Sequence, residues 1–292
     1  MRTLLLSAAV VLGPMPTVAA QSAGFDLVAH RGGAHALEIG VSTLEFDIGI
    51  TRDRQPVVWH DENMPPENCV DTEPAFAGDP QYPYVGKLVH DLTLAQIHTL
   101  DCGGEIATLP EVFALTDSYR ADVRYDIDTK VDAEQPSATA DPDEFVDVIM
   151  AAVRSAGKVD RVEMASFDWR TLQAVRSAEP SIPVVALWDQ MTWRPDSPWL
   201  GGINPAVVGD PLVGATLVGA NIVSPTYSLV DDALVDRVHA LGLKVIPWTI
   251  NDVDTMRAQI AIGVDGIVTD NPAMLRAVLA ELGMPLPPAY RR

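Results

Sequence analysis

Short apolar runs of strand length alternate with helical patterns along most of this chain. The runs are Leu27–Ala29, Thr43–Ile48, Val57–Trp59, Val123–Ile127, Val162–Ala165, Val184–Leu187, Asn221–Val223, Lys244–Trp248 and Gly266–Thr269. Helical segments separate most of them, and strands that alternate with helices form parallel βαβ units. Eight or nine such units in one chain favour a closed barrel over an open sheet. We therefore predict an α/β fold, a (β/α)8 barrel of the TIM type.

The predicted barrel occupies one domain, residues 23–292, because no linker divides the chain. Two stretches break the alternation, at residues 61–91 and 189–219, and both follow predicted strands. They would therefore be loops at the C-terminal face of the barrel, where barrel enzymes build their active sites. The second stretch contains Trp193 and Trp199, which we expect to be exposed.

The N-terminus has the pattern of a secretory signal peptide over residues 1–22. One arginine precedes the apolar run Leu4–Leu12, and small residues lead to an Ala-x-Ala-like site near Ala20. A membrane anchor is the alternative, but the run is shorter than the ~20 apolar residues that a span requires. We expect a secreted protein, extracellular or periplasmic, without a stable membrane anchor.

Charge and cysteine content narrow the possible partners. The formal net charge of −20 argues against a nucleic-acid partner and is typical of a well-solvated surface. Cys69 and Cys102 are the two cysteines, and an even count in an exported protein suggests a disulfide, with two buried free thiols as the alternative. We expect a small-molecule substrate; the oligomeric state cannot be predicted.

Acidic side chains cluster on two predicted strands. Glu45 and Asp47 stand two residues apart, so they point to the same face of a strand. Asp126 and Asp128 repeat this spacing, and Asp128 could complete a three-carboxylate site for a hard divalent cation. The alternative is a pair of solvated residues on an edge strand.

Two histidines, one arginine and one lysine accompany these carboxylates. His30 and His60 end predicted strands, and a hairpin that turns at Asp53–Arg54 would pair Asp47 with His60. A lone histidine at a strand end is usually structural. Two that flank an acidic pair favour general acid–base chemistry. Together with the cations Arg31 and Lys130, they indicate phosphoryl transfer.

Six stretches resemble, in the same order, the motifs of the glycerophosphodiester phosphodiesterase family. They are AHRGG, LEFDIGITRDRQPVVWHD, YDIDTK, ASFDW, KVIPWTIND and GVDGIVTDNP. The segment from CVDT to LTLAQIHTLDCGG resembles a secreted bacterial branch of the family. The resemblance spans residues 25–275. It implies a barrel of the phospholipase C-like superfamily that hydrolyses glycerophosphodiesters to glycerol 3-phosphate and an alcohol, with a bound divalent cation.

The resemblance also assigns roles to the matching positions. His30 and His60 would be the acid–base pair, Arg31 and Lys130 would bind the phosphate, and Trp248 would line the substrate pocket, with a core aromatic as its alternative. The metal ligands would be Glu45, Asp47 and Asp128. Asp128 stands where the family usually has glutamate, so the cation must shift or accept a water. Ca²⁺ is favoured over Mg²⁺, because three flexible carboxylates suit it and exported proteins meet more calcium.

The segment between the first two strands is shorter than the family pattern. A Pro-Glu-Asn-Thr motif and most of a helix are missing from HRGGAHALEIGVSTLEFD, and the similar PPEN at residues 65–68 follows His60, so we do not expect it to substitute. A parallel crossover needs about a dozen residues. We therefore predict a stub helix of at most about two turns and exposed apolar surface on strands one and two. Activity would be reduced, or lost through instability.

Two alternatives to the glycerophosphodiesterase remain. One is a lipid-directed phospholipase of the same superfamily, like the sphingomyelinase D toxins, which exposed Trp193 and Trp199 would fit. The other is a barrel that binds a phosphoester without turning it over, which the missing helix and Asp128 suggest.

Overall fold

Eight parallel strands form a nearly closed barrel in the computed structural model, which describes residues 24–292. In chain order the strands are β1 Asp26–Ala29, β2 Thr43–Ile50, β3 Pro56–Val58, β4 Val70–Asp71, β5 Leu100–Asp101, β6 Arg124–Thr129, β7 Val162–Ser166, β8 Val184–Trp188, β9 Ile222–Pro225, β10 Lys244–Val245 and β11 Gly266–Thr269. The barrel order is β10-β9-β8-β7-β6-β2-β1-β11. The backbone N–H of Asp265 donates to the Val245 carbonyl at 2.9 Å and joins the two ends. The predicted (β/α)8 barrel is therefore confirmed. The predicted signal peptide, residues 1–22, lies outside the described residues.

Helices follow most of the barrel strands. They are α1 Ala34–Ile39, α2 Leu94–Ile97, α3 Leu109–Ser118, α4 Pro142–Ser155, α5 Trp169–Ala178, α6 Pro205–Val208, α7 Pro211–Leu217, α8 Asp232–Ala240, α9 Val253–Ala261 and α10 Pro272–Glu281. The sequence analysis did not predict α6, α7 or α10. Each begins with a proline at its first position, after an asparagine or aspartate. That start signal is present in the sequence, but the proline- and glycine-rich surroundings of α6 and α7 obscured it.

The first crossover contains only a stub helix, as predicted, because α1 has six residues. The predicted exposure of apolar surface is wrong, since every residue of β1 and β2 is buried. Helix α10 packs against β1, and the C-terminal segment, residues 284–290, packs against α1. Its Tyr290 backbone N–H donates to the Leu37 carbonyl of α1 at 2.9 Å, and Met284 and Tyr290 pack against the main apolar core.

Arg276 on α10 fastens the C-terminal segment to the end of α1. Its Nη1 donates to the carbonyl oxygens of Gly40 at 2.8 Å and Pro287 at 2.7 Å. Gly40 has φ 92°, a conformation that other residues rarely adopt, and a Cβ there would lie 2.9 Å from the Pro288 carbonyl oxygen. The segment can therefore approach this closely only because residue 40 is glycine.

The hairpin of β2 and β3 forms, but its register differs from the prediction by one residue. Ile48 pairs with Val58, and the Trp59 backbone N–H donates to the Asp47 carbonyl at 3.0 Å. Asp47 is thus opposite Trp59, not His60. The turn has three residues, and Arg54 takes the left-handed conformation with φ 61°, the usual geometry of three-residue hairpin loops.

The first insertion is fastened by the predicted Cys69–Cys102 disulfide, which joins two chain segments 33 residues apart. The bond lies beside the antiparallel pair β4–β5. In the second insertion Trp193 and Trp199 are half-buried against the core, so the predicted exposure of these tryptophans is wrong. Within residues 24–292, no helix combines the length and hydropathy that a membrane span requires.

Candidate active site

A cavity of about 170 Å³ opens at the C-terminal ends of the barrel strands. The sequence-predicted site residues all line it, and they come from four barrel strands and from β3, or from the loops that follow these strands. They are His30, Arg31, Glu45, Asp47, His60, Asp128, Lys130 and Trp248. The short first crossover has therefore not separated the residues of β1 from those of β2.

Strand register brings the carboxylates together. Glu45 pairs with Asp126 and Asp47 with Asp128 across the parallel strands β2 and β6, so four acidic side chains form two adjacent rows. All four are at least nine-tenths buried. Burial first, and then the neighbouring carboxylates, raise the pKa values of Glu45 and Asp126 well above the usual range. Burial likewise raises the pKa of Asp128 to about 6, although Lys130 opposes this.

These carboxylates fit a divalent cation. Ligand atoms of His30, Glu45 and Asp47 lie within 4.8 Å of one another. Among the described residues, Asp126 Oδ1 and Asp128 Oδ1 are buried oxygens without a hydrogen-bond partner. Buried acceptors without partners are unfavourable, and an oxygen-seeking cation would satisfy them. Asp128, the third predicted carboxylate ligand, lines the same cavity as Glu45 and Asp47.

Two basic side chains, Arg31 and Lys130, border the carboxylates. Arg31 donates from its backbone N–H to Glu45 Oε2 at 2.8 Å and from Nε to Asp47 Oδ2 at 2.9 Å. Lys130 Nζ lies 3.3 Å from Asp47 Oδ1 and 3.2 Å from Asp128 Oδ2. These carboxylates raise the pKa of Lys130 although burial opposes it, so the ammonium stays charged. The side chain of Arg31 is half exposed, so an anionic ligand can reach it.

His30 is oriented by a residue that the sequence analysis did not assign. Its Nδ1 lies 2.5 Å from Asp270 Oδ1, and its Nε2 lies 3.9 Å from Glu45 Oε2. Asn251 Nδ2 donates to the other Asp270 oxygen at 2.6 Å. Burial opposes ionisation of Asp270, but the hydrogen bonds from His30 and Asn251 outweigh it and lower the pKa of Asp270. Asp270 directly follows the barrel strand β11. Active-site residues of barrels often occupy such positions, and this was the sequence signal that could have identified Asp270.

His60 lies on the other side of the cavity and is more exposed. Its Nδ1 is 2.8 Å from Asp61 Oδ1. Burial and the nearby charge of Lys130 lower the pKa of His60, and Asp61 opposes them. The two histidines thus have carboxylate partners of their own and different electrostatic surroundings, as a general acid and a general base require.

Aromatic side chains form one wall of the cavity. Trp248 packs edge-on against Phe167 with ring centroids 5.4 Å apart, and its Nε1 donates to the Ser224 carbonyl at 2.8 Å. Phe167 also lies beneath Lys130 Nζ, 6.0 Å from its ring centroid. The wall therefore offers an apolar surface to the part of a ligand that carries no charge.

A second cavity of about 520 Å³ continues from the first at Arg31, Asp47 and His60. Glu67 and Asn68 of the PPEN stretch line it. An apolar cavity of about 300 Å³ lies against the outer face of β2 and adjoins the second cavity at Trp59 and Cys102. Leu44, Phe46, Val112 and Leu115 line this apolar cavity, beside the stub helix α1.

Residues 33–274 match the glycerophosphoryl diester phosphodiesterase family. The chain belongs to this family. A glycerophosphodiester phosphodiesterase of Caldanaerobacter subterraneus subsp. tengcongensis is 27% identical, over 85% of this chain and 95% of the relative. Lysophospholipase D GDPD1 of Homo sapiens is 24% identical, over 86% of this chain and 85% of its own.

Solved structures of the family share the fold. A Silicibacter pomeroyi DSS-3 protein, provisionally named a glycerophosphoryl diester phosphodiesterase, superposes with a TM-score of 0.74 at 26% identity, over 90% of this chain and 96% of its own. An Oleispira antarctica phosphodiesterase in complex with sn-glycerol-3-phosphate gives a TM-score of 0.67 at 17% identity, over 87% of this chain and 96% of its own. At that identity the second likeness concerns the fold alone.

Proposed function

We propose that the protein hydrolyses glycerophosphodiesters to glycerol 3-phosphate and an alcohol with the help of a divalent cation. The observation that carries this proposal is the single cavity in which two histidines, two basic side chains and four carboxylates converge. Membership of the family and the names of its relatives support the same activity. Calcium suits the flexible carboxylate set of Glu45, Asp47 and Asp128 better than magnesium, which demands near-ideal octahedral geometry.

His30 has the arrangement of a general base. Because Nδ1 donates to Asp270, the free lone pair is on Nε2, the nitrogen that faces Glu45. Nε2 would take the proton of the attacking hydroxyl, and Asp270 would stabilise the imidazolium that results. This role holds whether water or a glycerol hydroxyl attacks phosphorus.

His60 has the arrangement of a general acid for the leaving alcohol. Its lowered pKa makes its imidazolium a stronger acid, and a bound phosphodiester anion favours the protonated form. Arg31 and Lys130 would bind the phosphate oxygens. A divalent cation on the carboxylates supplies further stabilisation of the negative charge that develops in the transition state.

A lysophospholipid substrate is the second candidate. The cavity at Arg31 and His60 shares lining residues with the catalytic cavity on one side and with the apolar cavity on the other. An acyl chain could therefore extend from a phosphate bound at Arg31 into the apolar cavity. A relative named as a lysophospholipase D supports this possibility. Preference for lysophosphatidylcholine over glycerophosphocholine would favour this candidate.

The test uses the protein from Gln21 onward with glycerophosphocholine, in calcium, in magnesium and in chelator. We expect release of glycerol 3-phosphate that the chelator abolishes. His30→Ala and His60→Ala should lose activity, whereas His239→Gln, on the exposed face of α8, should retain it. A folded protein that releases no product with either cation would contradict the proposal and favour a binding-only barrel.

We further propose that residues 1–22 direct export and are removed. Expression of the full chain in a host with a secretory pathway, followed by N-terminal sequencing of the exported protein, tests this. A first residue near Gln21 supports export, and an intact Met1 in the cytoplasm contradicts it.

A further inference from the structure

A fourth cavity, of about 550 Å³, opens from the catalytic cavity on the side of His60. His60, Lys130 and Phe167 line both cavities. We call it the acidic cavity, because its other charged lining residues are Asp61, Glu62 and Asp189. Trp199 also lines it. The loops after β3 and β8 supply these residues, and neither loop carries a predicted metal ligand.

Among the described residues, ion pairs involve one of the three carboxylates of the acidic cavity, Asp61, whose Oδ1 lies 2.8 Å from His60 Nδ1. Lys130, the cavity's one lysine or arginine among the described residues, is held by Asp47 and Asp128 at 3.3 and 3.2 Å. Arg194, on the same loop as Asp189, pairs with Glu134 at 2.6 Å. Within residues 24–292, the ion pairs of lysine and arginine involve neither Glu62 nor Asp189.

The acidic and aromatic lining favours an organic cation over an anion or a neutral polyol. Carboxylates attract the charge, and aromatic rings attract cations through their quadrupoles. The Phe167 ring already has an ammonium group 6.0 Å from its centroid. Trp199 donates its N–H to Glu134 at 3.4 Å, so its remaining ring edges and faces contribute apolar surface.

We propose that the acidic cavity binds the leaving alcohol and selects alcohols that carry a quaternary or primary ammonium group. This inference rests on the proposed function, in which His60 donates the proton to the leaving oxygen. The alcohol then lies on the His60 side of the phosphate. Of the two cavities on that side, the one lined by Arg31 also contains Asp47, Asp61 and Glu67, and its one aromatic lining residue is Trp59. The acidic cavity has two aromatic lining residues, Phe167 and Trp199, and its lysine is held by two carboxylates. The ammonium group therefore fits the acidic cavity better.

The experiment compares glycerophosphocholine with its neutral carbon analogue, the glycerophosphodiester of 3,3-dimethylbutan-1-ol. The two esters have the same shape and differ by one positive charge. We expect kcat/KM to be at least tenfold higher for the choline ester. The double variant Glu62→Gln, Asp189→Asn should reduce that ratio to about twofold or less, and it should hydrolyse the neutral ester at nearly the wild-type rate.

The matched control is Glu73→Gln, Asp236→Asn, which removes two charges at exposed positions outside the acidic cavity. It should keep the wild-type ratio. Asn at position 189 retains the side-chain oxygen that accepts from the Met191 and Thr192 backbone N–H groups at 2.9 and 2.8 Å, so the turn should be preserved. Equal kcat/KM for the two esters in the wild type, or an unchanged ratio in the double variant, would overturn the inference.

Binding of free choline separates this inference from the proposed function. Saturation-transfer NMR should detect choline bound to the wild-type protein and not to the double variant, while 3,3-dimethylbutan-1-ol should bind neither. Choline binding without any hydrolysis would refute the proposed function but would still support the cation site. Hydrolysis without choline binding would refute the cation site alone.

Discussion

Substitution of Arg276 by methionine tests whether the C-terminal segment replaces the missing helix. Methionine keeps the length and apolar stem of the side chain but removes both hydrogen bonds to the carbonyls of Gly40 and Pro287. A hydrogen bond from a charged donor contributes about 1.5–3 kcal/mol. Because Arg276 is only partly buried, the lower part of this range applies to each bond. For the two bonds together we therefore expect a loss of about 3 kcal/mol in the free energy of unfolding.

Urea denaturation and differential scanning calorimetry measure this loss. For a domain of this size, the melting temperature should fall by about 5–10 °C. The control is Arg257→Met, which removes an exposed ion pair with Glu281 between the neighbouring helices α9 and α10. The control should change stability by less than about 0.5 kcal/mol. Equal losses in the two variants would refute the argument, because the C-terminal segment would then contribute no more than any surface contact.

Three further predictions concern the site and the first insertion. Asp270→Asn should lower kcat by about 10²–10⁴-fold, because the amide no longer fixes the His30 tautomer, and steady-state kinetics with unchanged circular dichroism would check it. Asp128 has its pKa raised to about 6, against about 3.9 in the unfolded chain. The folded state therefore binds the extra proton, and in chelator stability should fall as pH rises from 4 to about 7. Calcium should oppose this fall, and urea unfolding at pH 5 and pH 7 measures both; rising stability in chelator would contradict the assignment. Replacing Cys69 and Cys102 by serine should cost about 3–4 kcal/mol for a loop of 33 residues, and a loss below 1 kcal/mol would show that the insertion is ordered without the bond.

The barrel and the residues that line its catalytic cavity could be predicted, because the sequence patterns that indicate them are local. Each strand is a short apolar run, and the alternation with helices determines a parallel sheet. Parallel strands all end at the same face, so chemical groups at strand ends must meet there. The same rule would have identified Asp270, which follows β11, as a neighbour of His30. A single aspartate before a helix is, however, also a common helix cap, so the sequence alone does not distinguish the two roles.

The register of the β2–β3 hairpin could not be predicted from the same signals. It depends on whether the turn has two or three residues, and Arg54 takes a left-handed conformation in the observed three-residue turn. A two-residue type I′ turn at Asp53–Arg54 would also require this conformation at Arg54, so the residue type at this position does not distinguish the two registers. The error moves His60 by one position along the strand. His60 still lines the catalytic cavity because it lies beyond the last paired residue, Val58, where the chain has already left the sheet.

The covering of β1 and β2 could not be predicted because it depends on contacts between the two ends of the chain. Residues 284–290 are rich in proline and have no periodicity, so nothing in their pattern indicates burial. The hydrogen bond of Tyr290 to the Leu37 carbonyl joins positions about 250 residues apart. The missing helix therefore does not by itself predict an unstable barrel. The strands that carry His30, Glu45 and Asp47 are buried, and a loss of activity would have to arise at the rim of the cavity instead.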